Sequence, residues 1–230
     1  MLWNRIKVDS LNIVLDNSKT MYLKIDNYVK LDITVNENVN AKIVIIANNN
    51  YDINISLNKL SNLVVNSLNK DNDVNVNVNL MEKANINYHH STLAINDSQN
   101  NFNIYHLENS SISNLNNNGI NMNGNKLYFT INGRVPKNLQ NITCNQKSKI
   151  INFQQGNSKI IPNLIIDSND IIASHAAYLG EIDYETKFYL QSRGISENNI
   201  QKLIYKSTLL GTMELTLEKE EFEKIINEWW

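Results

Sequence analysis

From Met21 to Ile172, apolar and polar residues alternate along this chain with a period of two. Val29 to Val35 (VKLDITV), Lys42 to Ile46, Tyr51 to Leu57 (YDINISL), Val74 to Leu80 (VNVNVNL), Ala84 to Tyr88, Phe102 to Leu107 and Leu127 to Ile131 interleave β-branched or large apolar residues with Asn, Asp, Ser or Lys. Successive side chains of a strand point to opposite faces, so these runs predict strands buried on one face. Helical spacing is nearly absent here. Many short strands with polar corners about every ten residues fit a sandwich, a barrel or a solenoid. Hairpin chemistry separates these, because two-residue hairpins favour Asn-Gly or Asp-Gly. Here Asn118-Gly119, Asn123-Gly124 and Asn132-Gly133 cluster in one place, and the earlier corners lack Gly. A parallel β-helix turns its corners with single left-handed residues, often Asn, and needs few hairpins. The predicted fold class is mainly β, a parallel β-helix with Asn at the corners, although no repeat of fixed length is legible.

After Gly180 the period becomes helical. Asp183 is a candidate N-cap for a helix over Tyr184 to Ser192, and Gly194 sits where a left-handed C-cap is expected. Ser196 caps a second helix with a stripe of Ile200, Leu203, Ile204, Ser207 and Leu210, and Gly211 ends it. Thr216 is a candidate cap for a third, striped by Phe222, Ile225, Ile226 and Trp229. The expected organisation is a β-helix core domain over 1–180 and a small C-terminal α-helical region over 181–230. Two apolar stripes and the terminal Trp229-Trp230 exceed what a narrow solenoid end covers, so part of this tail is expected to be an interaction surface.

Composition narrows the function. Roughly one residue in five is Asn, several times the usual share. An AT-rich genome is the main explanation, and tight corners, where Asn tolerates left-handed backbone, add to it. A formal net charge of -2 and a pI near 6.1, with no Lys/Arg stripe, argue against nucleic acid as a partner. One cysteine, Cys144, makes no internal disulfide. No signal-peptide core and no run of about 18 apolar residues is present, so no membrane span is expected and a reducing cytoplasm fits.

Catalytic constellations are scarce. Phosphate loops, GxSxG, HExxH and CxxC are all missing, and Asp32, Asp52 and Glu82 are scattered singly, so no enzyme is expected. A carbohydrate-active β-helix would need clustered carboxylates. His89 and His90 point to opposite faces of a strand and cannot share one ion. His106 reads as a surface or cross-strand residue, and Cys144 as a small buried one. His175 stands apart: it follows two apolar strand residues and lies among Ala173, Ser174, Ala176 and Ala177, where small side chains let another surface approach. Its neutral imidazole is an adequate metal ligand, although a residue of this kind, taken alone, is more often a satisfied structural histidine.

The stretch Ile171 to Ile195, IIASHAAYLGEIDYETKFYLQSRGI, resembles the C-terminal signature of the SufB/SufD family of iron-sulfur cluster assembly scaffolds. Asn132-Gly133-Arg134, Gln146 to Ile151 and Pro162 to Ile166 resemble weaker motifs upstream. The resemblance implies a right-handed parallel β-helix, pairing with a SufB-like subunit through it, and docking of a SufC-like ATPase through the C-terminal helices. It implies an iron-sulfur cluster, transient, at the subunit interface, with His175 among its ligands. The family's SufB branch has a Cys where an ungapped count from Pro162 puts Lys147, and an acidic residue where this chain has Ala176; both departures favour the SufD branch. The Cys some SufD members carry two residues before the His is here Ala173, and the helical region preceding the β-helix in many relatives is not seen. A non-enzymatic, SufD-like scaffold is the leading expectation, and a self-assembling structural β-solenoid is the alternative.

Overall fold

A computed structural model describes residues 3–216 and 218–229. In chain order the elements are β1 (Asn4–Ile6), β2 (Ser10–Leu15), β3 (Thr20–Ile25), β4 (Val29–Val35), β5 (Asn40–Ala47), β6 (Tyr51–Leu57), β7 (Asn62–Lys70) and β8 (Val74–Leu80). They continue with β9 (Asn85–Ala94), β10 (Ser98–His106), β11 (Ile112–Asn121), β12 (Lys126–Val135), β13 (Gln140–Asn152), β14 (Asn157–Ile166) and β15 (Asp170–Glu181). Helices α1 (Tyr184–Ser192), α2 (Glu197–Leu210) and α3 (Lys219–Trp229) close the described chain. Odd-numbered strands form one sheet in the order β1-β3-β5-β7-β9-β11-β13-β15, and even-numbered strands form the other from β2 to β14. Pairing is parallel throughout. The body is therefore the β-solenoid that the alternation predicts, flattened into two sheets, with each coil giving one strand to each.

Inward positions repeat from coil to coil. Ile53 of β6 pairs with Leu31 below and Val76 above, and Ile55 with Ile33 and Val78. All six are at most 2% exposed. Each such aliphatic side chain contributes about 1.5–3 kcal/mol through burial, and stacking like on like fills the interior without a hairpin. None of the three Asn-Gly pairs makes one. Gly119 and Gly133 lie inside strands, where added Cβ atoms would fall 2.7 Å from Leu127 Cδ2 and 2.6 Å from Cys144 Sγ. Gly124 supplies a left-handed corner at φ +74.

The expected role of Asn at the corners changes, and the missing repeat finds its reason. Of seven non-Gly residues with positive φ among the described residues, three are Asn: Asn38, Asn138 and Asn141 join Leu60, Asp71, Lys83 and Ser110. Other Asn side chains stack on outward strand positions, where each amide bonds the one a coil away. The separation of such pairs grows from 22 residues (Asn54 to Asp32) through 23, 26 and 29 to 31 (Asn163 to Asn132). No fixed repeat is legible because the coils lengthen. Strands widen with them, from 6 residues in β2 and β3 to 10 in β14 and 12 in β15.

The helices do not hang from the solenoid end. Tyr205, Leu209, Met213, Phe222 and Ile226 pack against outward-facing Val44, Ile46, Leu68, Leu93 and Ile120 of the odd-strand sheet, forming a second apolar cluster. The run Ile43-Val44-Ile45-Ile46-Ala47 carries that signal, since a continuous apolar strand is covered on both faces. Polar bonds fix the segment between α2 and α3: Lys42 Nζ lies 3.1 Å from Glu218 Oε1, Asn66 and Glu214 exchange side-chain-to-backbone bonds, and Asn118 donates to Thr212 at 2.7 Å. The stripe foreseen on α2 is rotated. Leu203 is 50% exposed while Tyr205, Thr208 and Leu209 are buried, because the phenol ring of Tyr205 is part of the packed face. Asp183 and Ser196 cap α1 and α2 as expected, and Gly194 has φ +80. Thr216 does not cap α3; its N–H and hydroxyl donate to the Glu218 carboxylate. Trp230 lies outside the described residues.

Candidate functional site

Strands β14 and β15 each pair on one side only, so the last coil leaves two free edges. Asp167 N–H donates to Val135 O at 2.9 Å, and backbone groups alternate sides along a strand. The backbone N–H and C=O groups of the even-numbered residues of β14 therefore point off the free edge of the sheet. Pro162 is among them, at a place where a missing N–H costs no ladder bond. With no coil above them, inward-facing Ile160, Pro162, Leu164, Ile166, Ile171 and Ala173 are only half-buried. Ile172 is 70% exposed, Tyr178 51% and Leu179 49%.

His175 lies in the middle of β15, in register with Gln146 of β13. Gln146 is an inward residue, 3% exposed, so His175 occupies the inward register of the coil that nothing covers and is itself exposed, beside exposed Ser174, Ala176 and Ala177. Gln146 Nε2 donates to Asn163 O at 3.2 Å, and its Oε1 has no protein partner among the described residues. Cys144 is one coil inside, paired with Ala173. It is 1% exposed, and burial pushes its thiol up, against a smaller opposing effect of the Ser113 hydroxyl. A protonated, enclosed thiol is a poor nucleophile.

The other histidines divide by strand parity. His89 faces outward and pairs with Glu214 at 3.3 Å. Burial pulls its imidazole down, and Glu214 opposes this. His90 faces inward, wholly enclosed, with Ser67 Oγ at 2.9 Å and Asn69 Nδ2 at 3.1 Å from Nδ1, and Thr92 Oγ1 at 2.8 Å from Nε2. Burial pulls it down to about 3. Of the two readings of His106, surface or cross-strand, the surface one fails. It is enclosed between Ser111 Oγ at 2.8 Å and Ser113 Oγ at 2.9 Å, and burial holds it at about 4. These polar groups inside the solenoid were not anticipated from the sequence. Parity alone was the available signal: His106 shares its phase with Phe102 and Ile104.

Helix α1 has no buried residue. Tyr184 is 76% exposed, Phe188 61% and Tyr189 55%, with Tyr184 stacked on Phe188 and Arg193 over Tyr189. Leu203 of α2 is also exposed. No group of three or more His, Cys, Asp or Glu side chains converges among the described residues. No helix among them is long and apolar enough to cross a membrane.

Residues 13–208 match the family model described as "SUF system FeS cluster assembly, SufBD core domain". Among curated proteins, the iron-sulfur cluster assembly protein SufD of Bacillus subtilis (strain 168) is 28% identical over 88 residues, which cover 37% of this chain. The aligned stretch spans 20% of that relative's length.

Proposed function

The chain belongs to the SufBD core-domain family of the SUF system, and on that premise we propose that it is a SufD-like, non-enzymatic scaffold subunit acting in the cytoplasm. The observation that carries this reading is an open last coil whose free strand β15 displays an exposed His175. A SufB-like subunit would pair with that end of the solenoid. His175 would supply one imidazole ligand to the iron-sulfur cluster under assembly, and the partner would supply the rest. The cluster is the product being built and is held there transiently.

A SufC-like ATPase would dock on the exposed aromatic face of α1 and the adjoining Leu203 side of α2. The stripes of α2 and α3 are already used against the sheet, so removing residues 194–230 would uncover Val44, Ile46, Leu68 and Leu93. Point substitutions on α1 are the cleaner probe. Co-expression with the SufB-like and SufC-like subunits of the same cell, followed by size exclusion, should give a stable complex. Phe188→Ala with Tyr189→Ala should remove the ATPase while the SufB-like subunit stays bound. Failure of the unaltered chain to join either subunit would overturn the reading, and filaments formed by the isolated chain would favour the structural alternative.

A further inference from the structure

Outward-facing amides form ladders that run along the solenoid with one polarity. On the even-strand sheet Asn54 Nδ2 donates to Asp32 Oδ1 at 2.7 Å, Asn77 to Asn54 at 2.9 Å, Asn103 to Asn77 at 3.0 Å, Asn132 to Asn103 at 2.9 Å and Asn163 to Asn132 at 2.9 Å. On the odd-strand sheet Asn87 donates to Glu214 at 3.4 Å, Asn114 to Asn87 at 3.0 Å, Asn145 to Asn114 at 3.0 Å, and the Ser174 hydroxyl to Asn145 at 2.7 Å. An amide can face either way, so a ladder of Asn alone has no preferred direction. A carboxylate has only acceptors to offer. Asp32 and Glu214 at the first rungs therefore oblige each following amide to donate toward the narrow end and to turn its oxygen toward the wide end.

That polarity reaches the free edges. On the last coil Asn163 spends an N–H on Asn132 and Ser174 spends its hydroxyl hydrogen on Asn145, and among the described residues neither the Asn163 Oδ1 nor the Ser174 Oγ receives a donor. A strand added to β14 or β15 sets the Cβ atoms of its directly opposed residues about 4.5–5.5 Å from those of Asn163 and Ser174, so that polar side chains there can reach the two oxygens. We infer that the subunit pairing with this end presents side-chain donors, such as Asn, Thr, Lys or Arg, to Asn163 and Ser174, and that these two residues set the partner's register. Acceptors there would meet acceptors, which penalises a wrong partner or a slipped register. The inference rests on the proposed pairing with a SufB-like subunit and specifies the chemistry of that contact.

The test is the affinity of the full chain for the cognate SufB-like subunit, measured by titration calorimetry alongside thermal unfolding of each variant. Asn163→Ala combined with Ser174→Ala should weaken association about tenfold with little change in melting temperature. Asn163→Lys, which turns an acceptor into a cationic donor, should weaken it more than Asn163→Ala. Asn101→Ala ends a ladder that begins at Asp52 and stops within the sheet, and should leave affinity unchanged. Wild-type affinity in the double variant, tighter binding by Asn163→Lys, or an equal loss in Asn101→Ala would each overturn the inference while the pairing itself stood. No association of the unaltered chain would instead sink the functional reading, and the inference with it.

Discussion

The coil of β8 and β9 and the coil of β14 and β15 follow the same alternation and reach different ends. Val76 and Val78 are wholly enclosed, whereas Leu164 and Ile166, in the corresponding inward phase, are half-buried. The difference is the next coil. Alternation decides which side chains point inward, but only a neighbour on each edge removes them from water. An apolar residue in the middle of the solenoid is thus spent on stability, and the same residue on the last coil is available for a partner.

The sharpest way to break that comparison is to remove apolar volume on both sides of it. Phe102→Ala, in the enclosed middle, should cost about 3–5 kcal/mol, and Ile166→Ala on the last coil about 1 kcal/mol, both by urea unfolding. Equal losses would mean that the end is covered in the isolated chain.

Acid should act on the middle first. His90 and His106 are held at about 3 and about 4 by burial, below the ordinary value near 6.5. Between those limits the unfolded chain binds more protons than the folded one, so stability is full above about pH 6.5 and falls as the pH drops. Each histidine should cost about 1.4 kcal/mol per pH unit, close to 2 kcal/mol by pH 5. Urea midpoints taken at several pH values check this, and His90→Asn should flatten the slope.

The helical cover gives a third contrast. Burial pushes the Glu218 carboxyl up, but the N–H groups of Thr216 and of Glu218 itself, with the Lys42 ammonium, outweigh it and hold the group at about 2. Its stabilising contribution is complete above the ordinary carboxylate value and is lost as the pH falls toward 2. Glu218→Gln should cost about 2 kcal/mol at neutral pH and speed proteolysis between α2 and α3, with the strands still protected. His175→Ala should have the smallest effect on stability, within about 0.5 kcal/mol by thermal unfolding. The same variant complexed with its partners should assemble less iron and sulfide; full assembly would remove His175 from the site.

Much of this was legible in the chain. The bounds of β4, β6 and β8 coincide with the alternating runs, because every second residue there is aliphatic. Strands β7, β11 and β13 are less legible, since Asn66, Ser67, Asn69, Asn117 and Gln146 put amides and hydroxyls at buried positions where alternation calls for an apolar residue. Parallel order followed from missing hairpin turns. The docking of α2 and α3 did not, because two-sided burial showed only as the unbroken run Ile43 to Ala47. His175 stood out through its small neighbours, while its exposure came from the unpaired edge, a property of the assembled sheet that no local pattern encodes.

The widening of the coils bears on polymerisation. Stacked head to tail, a second copy would set the 6-residue β2 against the 10-residue β14, and the 3-residue β1 against the 12-residue β15. At about 3.3 Å per residue, the mismatch leaves well over 10 Å of each wide-end strand without a mate. Two broad ends brought together carry strands of equal length, and every residue of their edges finds a mate.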